Sequence, residues 1–133
     1  MSRFHTALRR AFVARLGTDL GAKVYSSPPS NVSPPYILVG AIVAEPVETK
    51  ASPAAFHLVA VESWVQSRSP ADLDALTDAV VTRLTASNLT DAEAALSRPI
   101  LHGTEADTWN PDAAGGPTIG RVQTFRLFAQ PVV

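Results

Sequence analysis

Three histidines, His5, His57 and His102, fall in three different predicted elements, without the i, i+4 or shorter spacing that paired metal ligands use. The sequence has no cysteine, which excludes thiolate metal sites, disulfides and cysteine nucleophiles together. Asp72, Asp74 and Asp78 lie on a predicted helix, where Asp74 and Asp78 share a face and repel each other modestly. That is a solvated surface, not the irregular oxygen cage a calcium ion takes. Serines are frequent, but none sits in a Gly-x-Ser-x-Gly elbow. Glu45 and Glu62 can face each other across a hairpin, which gives acid–base geometry only inside a cleft and otherwise two strand acids in water. Gly115-Gly116-Pro117 lacks both the following helix and the lysine of a phosphate loop, so it reads as a turn. No metal and no cofactor is expected.

Two groups of side chains have the chemistry of protein contacts instead. Arg3, Arg9, Arg10 and Arg15 crowd one helical face with no acid before Asp19. Such a face is either solvated, with Arg15 suiting the helix C-terminal dipole, or a contact for an acidic protein ring or DNA phosphate. Trp64 is expected in the core, closing a strand-to-helix corner. Trp109 lies in a Pro- and Gly-flanked segment with little core around it, and two readings stand side by side: interface anchor and local loop packing. Lys50, at the tip of the predicted hairpin, is the other loop residue placed for partner contact.

These residues need elements to position them, and the apolar periodicity supplies a set. Phe4, Leu8, Phe12 and Leu16 recur every four residues with Ala7 and Ala11 beside them, which predicts a helix from about Arg3 to Leu16 ended by Gly17. A short strand over Lys23 to Ser26 precedes a proline-stiffened loop, Ser27 to Pro35. Tyr36 to Val43 is a continuous apolar run, and Ala54 to Val65 returns as its hairpin partner, largely apolar on both faces. One face should meet helices and the other a neighbouring subunit. Ser69-Pro70-Ala71-Asp72 caps a second helix whose stripe is Leu73, Leu76, Val80 and Leu84, running to about Ser87. Ala92 to Leu96 is expected to add a helical turn, Pro99 to about Asp107 is extended, and Ile119 to Ala129 forms the last strand. Thr108 to Thr118, with Asn110-Pro111-Asp112 and Gly115-Gly116-Pro117, reads as a mobile hairpin tip.

The chain has 133 residues, enough for one domain over 1–133 and no second core. Hydrophobic residues make up 46% and charged residues 17%, rather apolar for a small monomer, which leans toward an oligomer. Eleven basic against twelve acidic side chains leave a net charge of -1, without the electrostatic footprint of a nucleic-acid binder, so sequence-specific DNA reading is disfavoured. The N-terminus lacks the apolar run of a signal peptide and no stretch approaches the roughly 18 apolar residues of a membrane span, so a soluble, unprocessed protein away from membranes is expected.

The N-terminal helix, the strand opening Pro35-Tyr36-Ile37-Leu38-Val39-Gly40, the strand ending Glu62-Ser63-Trp64, the helix after Pro70 and a last strand with Arg121, Val122, Thr124 and Phe125 together resemble the tail terminator, or tail completion, proteins of long-tailed phages and gene transfer agents. The resemblance implies an α+β domain with a mainly antiparallel four- to five-stranded sheet and two main helices packed on one face. It implies a non-enzymatic virion protein at the tail–head junction, assembled in the bacterial cytoplasm. Such proteins form hexameric rings that bind the last ring of the tail tube protein, stop polymerisation and offer their other side to the head–tail connector, with DNA passing through. Partner contacts are then expected at Arg9, Arg10, Lys50 and Trp109. The segment Ala106 to Thr118 is longer than the family pattern. A small α+β enzyme or ligand-binding domain with no recognisable motif is the alternative.

Overall fold

The computed structural model describes residues 2–28, 30, 32–46 and 55–131. The element order is α1 (Ser2–Leu16), β1 (Lys23–Tyr25), β2 (Tyr36–Pro46), β3 (Ala55–Gln66), α2 (Pro70–Leu84), β4 (Ala94–Leu96), β5 (Ile100–Thr104), β6 (Thr108–Asn110) and β7 (Thr118–Pro131). In α1 the four-residue spacing does what it predicts: Leu8, Phe12 and Leu16 are fully buried, with Ala7 and Ala11 beside them. Gly17 ends the helix at φ +69°, in the left-handed region, and its N–H donates to the Val13 carbonyl at 3.0 Å.

Helix α2 starts where its capping residues put it. Ser69 Oγ accepts from the Ala71 N–H at 3.2 Å, Pro70 takes the first turn and Asp72 faces the positive end of the dipole. Leu73, Leu76, Val80 and Leu84 are buried, each side chain contributing about 1.5–3 kcal/mol. The helix stops at Leu84, short of Ser87, with Thr85 as its C-cap at φ −95° and ψ 7°; the Thr85 N–H makes the last bond to the Val81 carbonyl at 3.0 Å and its hydroxyl donates to the same carbonyl at 2.7 Å. Arg15 of α1 then reaches across and donates to the carbonyls of Arg83, Ser87 and Asn88.

The sheet differs from the four- to five-stranded, mainly antiparallel expectation. It has seven strands and is mixed, in the order β1-β2-β3-β7-β4, with β5 and β6 also on β7. Strand β1 runs parallel to β2, Lys23 opposite Tyr36 and Tyr25 opposite Leu38. The extra strands share one position. Along the outer side of β7, β6 pairs with residues 118–120, β5 with 123–126 and β4 with 129–131, so three short strands fill an edge that one long strand would otherwise occupy. The helical turn expected at Ala92 to Leu96 is thereby overturned: Ala94 opposes Pro131 and Leu96 opposes Ala129.

Alternation along the long strands sorts the two faces. His57, Val59, Val61, Ser63 and Val65 of β3, with Phe125, Leu127 and Ala129 of β7, are buried under α1 and α2. Phe12 meets Phe125 edge-on at 6.4 Å. His57 belongs to this core, 2% exposed, its Nδ1–H donating to the Ala55 carbonyl at 3.2 Å and its ring against His5 at 5.9 Å. Burial lowers its pKa, as it lowers that of His5.

Candidate functional site: the uncovered sheet face

Residues of opposite parity face away from both helices. Tyr36, Leu38 and Val43 of β2, Phe56, Leu58 and Ala60 of β3, and Val122, Thr124 and Phe128 of β7 line this side, with Ile100 of β5 at its margin. Most are half-buried only by one another; Val43 is 57% and Ile100 45% exposed. A face of this composition, covered by neither helix, is suited to being covered by another molecule.

At one end a charged group is built into the apolar surface. Glu45 opposes Phe56, which opposes Phe128, and the two rings meet edge-on at 5.1 Å. From the next row Arg126 leans over the Phe56 ring, its guanidinium carbon 3.8 Å from the centroid, and its Nε–H donates to Glu45 Oε1 at 2.8 Å. The cation is thus held by a carboxylate and an aromatic face at once, which presents a flat, partly desolvated plate.

At the other end Trp64 lies across Gly120, its directly opposed partner, and a Cβ at that glycine would collide with the indole. The Trp64 Nε1–H donates to Glu62 Oε1 at 3.2 Å. Tyr36 stands opposite Trp64 and meets Tyr25 edge-on at 6.1 Å, and burial, then the Glu62 carboxylate, push its phenol above its ordinary pKa. Trp64 is therefore on the uncovered face and not in the core corner expected of it; its even position in β3, shared with Phe56 and Leu58, decides the side. Nor do Glu45 and Glu62 face each other: Glu62 opposes Leu38, several rows from Glu45.

The structure scatters the side chains read as contact residues. On α1, Arg9 Nη2 donates to the Gly40 carbonyl at 3.0 Å, beside the register shift between Val39 and Ile42. Arg10, its side chain 50% exposed, forks onto Asp91 at 2.8 and 2.9 Å and reaches Glu93 at 2.9 Å, tying α1 to the segment before β4. Trp109 sits in β6, not at a loop tip, opposite Ile119 and 46% exposed. The turn beyond it is fastened, since Gln66 Nε2–H donates to the carbonyls of Ala114 and Gly116. Lys50 and the hairpin tip around it lie outside the described residues. Sequence reasoning missed Arg126, Phe56 and Phe128 as a group, although their alternation was visible.

On the helix side, Arg121 is a saturated node. It donates to both Asp107 oxygens at 2.7 and 2.9 Å, to Asp74 at 2.7 Å and to the Thr77 hydroxyl at 2.8 Å. The guanidinium holds Asp107 below the usual carboxylate range. The network fixes the link between β5 and β6 against α2. Among the described residues no group of three His, Asp or Glu could hold a metal ion, and no helix is long and apolar enough to cross a membrane.

Two helices on one side of a seven-stranded mixed sheet, with an apolar face left open by them on the other, define a small α+β domain. The family model for tail completion protein gp17 matches residues 6–125, and the chain belongs to that family. It is accordingly a structural tail protein. Among solved structures, a chain in the virion of a native gene transfer agent particle has the same fold, with a TM-score of 0.77 at 18% identity, over 95% of this chain and 96% of that one. No curated protein matches.

Proposed function

We propose that this protein closes the tail tube as a ring, most simply of six copies, ends tube polymerisation and joins the tube to the head connector. The observation that carries the reading is the apolar face of β2, β3 and β7, which the chain's own helices leave uncovered. A monomer gains nothing from keeping such a face open; an assembling subunit needs it. Membership of the tail completion family and the fold shared with a gene transfer agent virion chain support the same reading. In this reading the protein is assembled in the bacterial cytoplasm and works at the tail–head junction, without catalysis. Its partners are further copies of itself, the tube protein on one side and connector proteins on the other, with DNA passing through the lumen unread. Arg9, Arg10, Lys50 and Trp109 are the side chains proposed to contact those partners.

Deleting the gene and viewing the lysate by electron microscopy tests it. Filled heads without joined tails, and tails of abnormal length, are expected. Normal particles with normal tail lengths would refute the role.

A further inference from the structure

The two lateral edges of the sheet carry unlike but matching features at one level. Through the registers Lys23 with Tyr36, Tyr36 with Trp64, Trp64 with Gly120 and Gly120 with Thr108, a single row crosses the whole sheet from β1 to β6. At the β6 end, Trp109 pairs with the fully buried Ile119, so its indole stands on the helix-bearing side, 46% exposed. At the β1 end, Val24 pairs with the fully buried Ile37 and so points to that same side. There a groove of about 1080 Å³ opens between the end of α1 and β1, lined by Val13, Ala14, Gly17, Ala22 and Val24 among others. One edge thus offers a large exposed aromatic ring, and the other an apolar groove with ample room for it.

Strand directions agree. β1 runs with β2, β2 against β3, β3 against β7, and β7 against β6, so β1 and β6 point in opposite directions. A rotation that keeps strand direction therefore sets the β6 edge of one copy antiparallel to the β1 edge of the next. Because the two surfaces differ, the contact is head-to-tail, the kind that closes into a ring. We infer that Trp109 of one copy seats in the groove between α1 and β1 of a second copy. The inference rests on the ring reading and names the contact within it. Tryptophan is among the side chains enriched as anchors of such contacts.

The natural chain has no cysteine, which makes the test clean. Ala14→Cys and Asn110→Cys proteins, the second keeping the neighbouring Trp109 indole, are purified separately, checked for native circular dichroism and treated with a short bis-maleimide, alone and mixed. The expected result is a cross-linked dimer in the mixture and none in either protein alone. Trp109→Ala should also weaken self-assembly about tenfold or more, read by mass photometry, with the fold intact. If the wild type forms rings but the mixture does not cross-link, the inference falls and the ring stands. The same holds if the Asn110→Cys protein links to a second copy of itself, or to another tail protein in assembled particles. A wild type that is monomeric both in solution and in particles overturns the two together.

Discussion

The Trp64 indole rests on the Gly120 backbone, across the β3–β7 pair, so that a residue without a side chain makes the bed for the largest side chain on the uncovered face. A methyl group at Gly120 has to displace the indole and with it the Nε1–H bond to Glu62. Gly120→Ala should therefore lose about 1–3 kcal/mol of stability in urea unfolding and shift the tryptophan emission. Gly103→Ala is the control, because nothing lies within 4 Å of the Cβ it would add, and it should change stability by less than about 0.5 kcal/mol.

The Arg121 node gives a second prediction. Its side chain is only 17% exposed and it holds Asp107, Asp74 and Thr77 together. Arg121→Leu should cost about 2–4 kcal/mol, since charge-assisted bonds are lost and Asp107 is left without its partner. Arg121→Lys should recover less than half, because an ammonium cannot fork onto both carboxylates. Chemical denaturation of the three proteins side by side measures it.

Acid should destabilise the protein in two stages. Burial holds the folded-state pKa of His57 and His5 below the unfolded value of about 6.5, so the unfolded chain binds more protons and stability falls as pH drops below that value. Asp91 and Asp107 are depressed by hydrogen bonds from Arg10 and Arg121; their contribution is complete above about pH 4 and is lost as pH falls through the folded values. Thermal midpoints from pH 8 to 3 should show a shallow first loss and a steeper second one. His57→Gln should shrink the first and leave the second.

On the uncovered face, assembly and stability should separate. The Arg126–Glu45 pair is 33% and 42% exposed, so Glu45→Ala should change unfolding by no more than about 1 kcal/mol. Val43→Asp, at a position 57% exposed, should likewise spare the fold while weakening self-assembly in mass photometry. Retained assembly in the Val43→Asp protein would remove this face from the interface.

Folding should need no metal. Three histidines in separate elements and the absence of cysteine provide no structural site, so thermal unfolding with and without a strong chelator should give one midpoint. A drop of several degrees would reveal a carboxylate site.

What was legible in the sequence was whatever local chemistry decides. Leu8, Phe12 and Leu16 mark α1 by spacing, Ser69-Pro70 opens α2, and the parity of Val122, Thr124, Arg126 and Phe128 against Phe125 and Leu127 sorts the faces of β7. What was not legible depends on partners distant in sequence. Ala-Glu-Ala-Ala-Leu at residues 92–96 has strong helix propensity, yet pairing with the end of β7 makes its last three residues a strand. Three-residue strands such as β1 and β6 carry too little periodicity to reveal their neighbours, and Thr-Trp-Asn before Pro111 looks like the start of a turn. Arg10 looked unpaired because its partners, Asp91 and Glu93, are some 80 positions away. That both helices choose the odd face of β3, leaving Phe56 and Trp64 outside, follows only from the assembled layers.

The division of the outer edge of β7 among β4, β5 and β6 bears on how growth is limited. An unbroken fourteen-residue ladder with an exposed outer strand would be a template on which chains add without end, the geometry of fibres. Three short pieces, with a register shift between Leu101 and Gly103, offer no such template. Contact with another copy is then left to shaped side chains, which do not repeat along the edge as backbone groups do. A molecule proposed to halt a polymer is in this way kept from becoming one.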